Sequence, residues 1–432
     1  MKFITNLLNI KANFNLENAT NIAGLLPFLQ WLKQMEIEDT FRCFDSIKKS
    51  NAKFPFRKII IYLVIGWIAS CTRLFHFRSL QKDALVQQFM GGKCPDYTLL
   101  GKDLKYLAKF DVQEEMKELM HDIIDPALPS DLILDFDSTI ETVYGNQEQA
   151  KKGPNPHKPG RKSYHPLLVY EGQTKLCLNG KLRSGNSHTA DDVIKFAEET
   201  LELLSSLRSV RYARFDKGFG GEDFYASWEN KEIDYVGKLK WTNRLAKAAY
   251  DDSTPWIRFV DEDIVIEGKT IYYQATTWKK ARRVSVIRKA DRFEKDQVQF
   301  VDFIWDHEAL VHTMDWSPMD IWRFYNQRAC MENYIKEAKY GFSINRIPTA
   351  SFGANELDML IKLIAYNLYE LFKMDQCPAS MKSYTIQRFR REIVQAAGVF
   401  VSHARQVVLK IQEGYLHKQA FVKMVESVHK LE

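Results

Sequence analysis

At 432 residues, with 45 % hydrophobic and 13 % aromatic side chains, the chain is long enough for two or three domains and too apolar to be disordered. Its net charge of +6 permits a polyanionic partner without requiring one. Six cysteines, Cys43, Cys71, Cys94, Cys177, Cys330 and Cys377, show no CxxC and no paired spacing. That argues against a disulfide framework or a zinc site and for thiols in a reducing cytoplasm. The start, MKFITNLLNIKANFNLENA, lacks a long apolar core and a cleavage site. The most apolar uncharged run, Ile59 to Thr72, holds 14 residues, where crossing a bilayer takes about 20. The expectation is a protein that is neither exported nor membrane-bound.

Residues 1 to about 125 read as helical, with helical apolar spacing in IAGLLPFLQWLKQM and FRKIIIYLVIGWIASCTRLFHF and a turn at GGKCPDYTLL. DLILDFDST (131–139) reads as a strand, with Leu132, Leu134 and Phe136 on one face and Ile133, Asp135 and Asp137 on the other. KKGPNPHKPGRKSYHP (151–166) reads as a basic loop. LLVYEGQTKLCLNGKLRSGN reads as two strands joined around Gly172, with a second turn at Asn179–Gly180. A helix in HTADDVIKFAEETLELL, capped by Thr189, comes next. The strand SVRYARFDKGF (209–219), a short helix from about Glu222 and the strand IDYVGKLKW (233–241) complete a mixed α/β layer architecture.

Residues 242–315 read as short β segments punctuated by turns and charges. A helix then starts at Ser317 as N-cap, with Pro318 in its first position and Asp320 favourable to its dipole, and runs to Gly341. Another apolar helix, ANELDMLIKLIAYNLYELFK, follows, and the tail carries RFRRE in amphipathic segments.

Three acids stand out. Asp137 ends one strand, Asp216 ends another before the tight turn KGFGG, and Glu332 lies mid-helix. At about 100° per residue, Tyr325, Arg328, Glu332 and Lys339 share a helical sector of about 60°. Three carboxylates without His or Cys are hard oxygen donors, suited to Mg²⁺ or Mn²⁺. Two such ions about 4 Å apart can drive an in-line phosphoryl displacement. Each acid also has a plainer reading. Asp137 or Asp216 alone could be a cap or turn residue. Asp135 shares the face of Asp137, so the pattern does not separate them, and Glu332 could simply pair with Lys336 at i, i+4.

The spacing Tyr-x2-Arg-x3-Glu-x6-Lys resembles the signature around the third acid of bacterial insertion-sequence transposases with a DDE triad, and Tyr325, Arg328, Glu332 and Lys339 match every position. LDFDST resembles that group's first-Asp block, RFDKGFGGEDFY its second, and YGNQEQAKKGPNPHKPGRKSYHPLL a stretch of one subgroup. The resemblance spans roughly 130 to 370. Lys217-Gly218 departs from the Ser-Gly or Arg-Glu of many relatives without touching a ligand. The first 125 residues are similar only to the helical N-terminal part that such transposases often carry.

The resemblance implies an α/β fold: an RNase H-like catalytic core with a β-rich insertion and a helical N-terminal region. The segments would be 1–125 for DNA-end binding, 126–241 and 316–375 for the core, 242–315 for the insertion, and 376–432 for a DNA contact or dimerisation. Asp137 would bridge two Mg²⁺, with Asp216 and Glu332 holding one each and Mn²⁺ able to substitute. Transposon 3′ ends would be exposed by hydrolysis and joined to target DNA. Tyr325, Arg328, Lys336 and Lys339 would grip phosphates. The basic stretch Lys151, Lys152, His157, Lys158, Arg161 and Lys162 would be a second DNA contact or a solvated loop. Trp305 would hold a flipped base, and His188 would be structural. A homodimer synapsed on double-stranded DNA, in a bacterial cytoplasm at the nucleoid, completes the expectation. An RNase H-like nuclease without strand transfer and a domesticated DNA-binding protein are the alternatives.

Overall fold

The structure is a computed structural model that describes residue 8 and residues 10–156, 158–188, 190, 192–260, 264–291, 305–404 and 406–430. Contacts divide the chain into two units, Met1–Asp103 with Phe372–Glu432, and Leu104–Leu371. Segments 1–125 and 376–432, read separately above, both contribute to the first.

The first unit opens with a two-residue strand β1 (Ala19–Thr20) and helix α1 (Leu26–Gln34). Helix α2 (Phe56–Ile68) holds most of the uncharged run that starts at Ile59, and its residues from Ile59 to Ile68 are all buried. A helix apolar on every side belongs in a core. Among the described residues no helix is long and apolar enough to cross a membrane.

The second unit is a mixed α/β layer built on one large sheet. Helix α3 (Gln113–Ile124) leads into strand β2 (Asp131–Ser138). The alternation of β2 holds: Leu132, Leu134 and Phe136 are fully buried on one face, while Asp135 and Asp137 share the other. Short strands β3 (Glu141–Thr142), β4 (Lys151–Lys152) and β5 (Lys162–Tyr164) follow, pairing in the order β3-β5-β4. The stretch 151–166 expected as a loop therefore has short paired strands at 151–152 and 162–164, and its described residues between them belong to no strand.

Strands β6 (Leu167–Glu171) and β7 (Cys177–Lys181) form the expected hairpin. The second turn expected at Asn179–Gly180 is instead part of β7. Gly180 is needed for closeness, since a Cβ there would lie 2.6 Å from Leu363 Cδ1. Helix α4 (Val193–Glu202) begins after Asp192 without a side-chain cap, and the Thr189 expected to cap it lies outside the described residues. Strand β8 (Ser209–Phe215), helix α5 (Glu222–Asn230) and strand β9 (Asp234–Leu239) complete the alternating part. The Phe136 ring meets Phe196 of α4 and Trp228 of α5 at centroid distances of 6.4 and 5.5 Å, clamping both helices to β2.

Strands β10 (Ile257–Val260), β11 (Ile264–Tyr273), β12 (Arg282–Asp291) and β13 (Asp306–His312) come from the segment read as short β pieces. Two of them are ten residues long, and all four join the same sheet. Its order is β10-β11-β12-β13-β9-β8-β2-β6-β7. Strands β2, β8 and β9 are mutually parallel, and every other pairing is antiparallel.

The helix expected from Ser317 to Gly341 starts as read: the Ser317 hydroxyl accepts from the Asp320 amide and Pro318 opens α6 (Pro318–Gln327). It does not continue as one rod. Arg328 breaks it, α7 (Ala329–Lys336) resumes, and a π turn spans Glu337–Gly341. Helix α8 (Phe352–Gln376) follows, its Asn367 side chain bonding both the amide and the carbonyl of Cys177 at 2.8 Å. The first unit then regains the chain, with strands β14 (Gly398–His403) and β15 (Gln406–Ile411) forming a three-stranded sheet in the order β1-β14-β15. The sequence reading had no strands in either terminal segment.

Candidate active site

Parallel strands β2 and β8 end on the same edge of the sheet, where open α/β sheets collect their ligands. Asp137 occupies the end of β2, and Asp216 the first position after β8, where its carbonyl accepts from the Phe219 amide in a tight turn. Helix α7 brings Glu332. All three line one pocket of about 550 Å³, together with Thr139, Lys238, Tyr325, Arg328, Lys336 and Lys339. Stretches far apart in the chain thus converge as the sequence spacing suggested.

Asp135 and Asp137, which the sequence pattern does not separate, have different neighbours. Asp135 is fully buried and held by Arg214 of β8, whose Nε and Nη2 donate to its two oxygens at 2.6 and 2.7 Å. Asp137 faces the pocket. The Ser138 amide donates to its Oδ1 at 2.7 Å, and Arg328 Nη2 lies 3.3 Å from its Oδ2. Burial pushes the Asp137 carboxyl above the usual range; Arg328 opposes the shift, and Asp216 and Glu332 add to it.

The model of the family described as "Transposase DDE domain group 1" matches residues 4–432. The chain belongs to that family. It is a DNA transposase. Among curated proteins none matches it. Among solved structures, the chain is similar to the one titled "Cryo-EM structure of piggyBac transposase synaptic complex with hairpin DNA", with a TM-score of 0.47 and 13 % identity over 86 % of this chain and 79 % of that one.

The signature residues of the transposase sit differently from a simple stripe on one rod. Tyr325 is buried against Val236, Leu310, Met314 and Ile321 and still reaches the pocket wall. Arg328, at the helix break, turns inward: its Nη2 donates to the Phe136 carbonyl at 2.8 Å, and its buried Nε has no hydrogen-bond partner among the described residues. Lys339, on the π turn, donates to Thr139 Oγ1 at 3.0 Å and the Ile140 carbonyl at 2.9 Å. Burial pulls its ammonium below the usual range, opposed by Glu141. Glu332 and Lys336 do form an i, i+4 contact at 3.9 Å, but the two side chains are 64 % and 63 % exposed. A pair that open contributes about 0–1 kcal/mol, so it does not account for Glu332.

Other expected contacts lie away from the pocket. Lys158 hydrogen-bonds the exposed Tyr144 hydroxyl, Arg161 stacks 6.0 Å from the same ring, and Lys162 donates to Asn146 at 3.3 Å. His157 lies outside the described residues. Trp305 is half-buried with Arg288 4.4 Å from its ring; that guanidinium is also 4.2 Å from Trp256 and bonded to Glu267. The His188 carbonyl accepts from Arg183 at 3.0 Å.

Sequence reasoning missed Lys238, whose place on β9 is set by the sheet pairing and whose amine lies 3.4 Å from Glu308. It also missed His165, which touches Ser138 Oγ at 3.1 Å behind Asp137; the SYHPL stretch was the available signal. Glu141 was missed as well. It is fully buried, and neither carboxylate oxygen has a hydrogen-bond partner among the described residues. Burial pushes its pKa from 4.5 to about 8, against Lys362 and Lys339. The folded chain thus keeps a proton that the unfolded chain releases near 4.5, so this group removes stability as the pH rises from there towards 8. Glu141→Gln is expected to flatten the decline of Tm between about pH 5 and 8. An unchanged slope in thermal scans would mean that the carboxyl is already ionised.

Whether the pocket suits metal ions depends on its donors. Three carboxylates and no His, Cys or Met is the oxygen-only set that Mg²⁺ and Mn²⁺ prefer, and burial of the Asp137 carboxyl, with a smaller push from Asp216 and Glu332, is a cost that a cation would offset. Among the described residues, however, no three His, Cys, Asp or Glu side chains are grouped tightly enough to hold an ion jointly. The donors fit in kind and line one space without being drawn into a finished cluster.

Proposed function

We propose that this transposase binds the inverted-repeat ends of a bacterial insertion sequence, hydrolyses the phosphodiesters there, and joins the freed 3′ hydroxyls to target DNA by cut-and-paste. The observation that carries this reading is the single pocket shared by Asp137, Asp216 and Glu332 at the carboxyl ends of β2 and β8. We read the core as RNase H-like: the order β7-β6-β2-β8-β9, two antiparallel pairings followed by two parallel ones, supports it. Asp137, Asp216 and Glu332 would hold two Mg²⁺, or Mn²⁺ in their place. Bound there, the ions supply Lewis acidity that activates a water or 3′ hydroxyl and stabilises the leaving oxygen.

The chain's own residues do the rest. Arg328 fixes the end of β2 through the Phe136 carbonyl, keeping Asp137 in the pocket, and its guanidinium lines the space that a phosphate would enter. Lys339 adds a point charge beside Thr139, Lys336 an exposed one, and Tyr325 forms the wall. Lys158, Arg161 and Lys162 form a second DNA contact, Trp305 a base contact, residues 1–125 bind the ends, and 376–432 contact DNA or a second copy. Two copies would synapse two ends, in the cytoplasm at the nucleoid. The DNA flanking the gene tests the reading directly: short inverted repeats bounded by a direct duplication are expected, and their absence beside an active cleavage product with no joined strands would make the protein a nuclease.

Lys339→Ala is expected to weaken end binding and to lower the slope of log K against log salt by about 0.9, the equivalent of one phosphate contact. Binding titrations at several salt concentrations measure this. A lower affinity with an unchanged slope would assign Lys339 to bracing Thr139 and Ile140 alone.

A further inference from the structure

Residues 10–17 alternate without a fault: Ile10, Ala12, Phe14 and Leu16 are apolar, and Lys11, Asn13, Asn15 and Glu17 between them are polar. Period two is the pattern of a strand with one face buried. In the structure this segment is not a strand. All eight residues are exposed, with Phe14 at 100 %, Leu16 at 72 % and Ile10 at 58 %.

The segment is joined directly to a sheet it does not follow. The next residues form β1, paired with β14 through Ala19 opposite Val399 and Thr20 opposite Gly398, and the Phe400 amide donates to the Asn18 carbonyl at 3.0 Å. Asn18 has φ +53°, in the left-handed region, and there the chain turns away from β14.

The far edge of the same sheet is open. Strand β15 has β14 on one side and, among the described residues, no paired strand on the other, while Leu409 and Ile411 pack with Tyr415 and Phe421. The Gln412 amide donates to the Ala397 carbonyl, which continues the register Val399 to Lys410 and Val401 to Val408. In an antiparallel ladder that parity turns the amides of Val407, Leu409 and Ile411 outward. Val407 and Val408 are 59 % and 43 % exposed. An apolar edge strand with free amides is a template for another strand.

We propose that residues 10–17 of one copy add as a strand to the open edge of β15 in a second copy, reciprocally, so that the protein dimerises through exchanged N-terminal strands before it meets DNA. A second copy is the occupant because the single chain folds with both the strand and the edge unused. Its own segment enters the sheet from the opposite edge, at β1, and would have to pass round the β14–β15 turn to reach β15. A two-fold exchange satisfies both elements twice with one contact type. The proposal does not depend on the metal-site reading.

The experiment uses the full chain without DNA. Sedimentation of the native protein at micromolar concentration is expected to give twice the chain mass, and Phe14→Asp with Leu16→Asp to return it to a single chain with unchanged Tm. Mixing a Phe14→Cys protein with a Val407→Cys protein under oxidation is expected to give a disulfide-linked heterodimer, located by peptide mapping. A monomeric native protein, a charged variant that remains dimeric, or a Phe14–Val407 crosslink formed only within one chain when both cysteines are on it would overturn the proposal.

Discussion

Asp137→Asn, Asp216→Asn or Glu332→Gln is expected to abolish cleavage of the element's ends while leaving end binding within a few-fold of the native protein. Each change keeps the side chain's size and removes only its charge and one oxygen donor. An electrostatic donor lost at a reacting phosphate costs on the order of 10³-fold in rate. Binding draws on cations elsewhere, and lowering the negative charge of a pocket that faces phosphate does not weaken it. The three variants differ in one respect. Asn at 137 can keep the bond from the Ser138 amide but loses the ion pair with Arg328, so its Tm needs checking beside its activity. Glu332 is largely exposed, and Glu332→Gln should leave Tm where it was. Gel assays with labelled ends, run with Mg²⁺ and with Mn²⁺, measure both quantities. Full cleavage by any one variant would remove that residue from the site.

Arg214→Met is expected to destabilise the fold by roughly 3–5 kcal/mol, the usual consequence of leaving a buried carboxylate without its partner. Arg214 is fully buried, bonds both oxygens of Asp135, and donates to the Phe324 carbonyl of α6 at 2.8 Å. It therefore ties β2, β8 and the helix before the Arg328 break into one piece. The double variant Asp135→Leu with Arg214→Met is expected to recover much of the loss, because an apolar pair of similar volume carries no desolvation cost. Urea unfolding of the three proteins separates the outcomes. A single-variant cost below about 1 kcal/mol would mean that Asp135 is carried as a neutral acid.

Asp137 and Asp216 stand out in the sequence because each lies where an alternating strand ends, and Glu332 because of its spacing from Tyr325, Arg328 and Lys339. Alternation puts Asp135 and Asp137 on the same face, so only a partner far along the chain, Arg214, distinguishes them. The stripe assumed an unbroken rod. The break at Arg328 and the π turn at Glu337–Gly341 send Arg328 to the Phe136 carbonyl and Lys339 to Thr139, contacts that no angular periodicity contains. The segment that forms β11 reads in the sequence only as one of several short β pieces, and its Gly268 lies inside the strand. Gly268 is required by packing, with a Cβ there falling 2.8 Å from Ile287 Cδ1. Strands β14 and β15 were hidden by a tail read as amphipathic segments, although GVFVSH and QVVLKI flank Ala404 with φ +49° and have the β-branched content of a hairpin.

The sheet is unbroken from β10 to β7, so its outer rim is a fixed measure rather than a swinging arm. Five strand steps separate β10 from β8, and at about 4.8 Å each they span roughly 24 Å. That distance equals about seven base pairs of duplex at 3.4 Å per step. The strands between 257 and 312, read in the sequence as short β segments, thus widen the sheet that carries Asp137 by a span longer than any of them was expected to have.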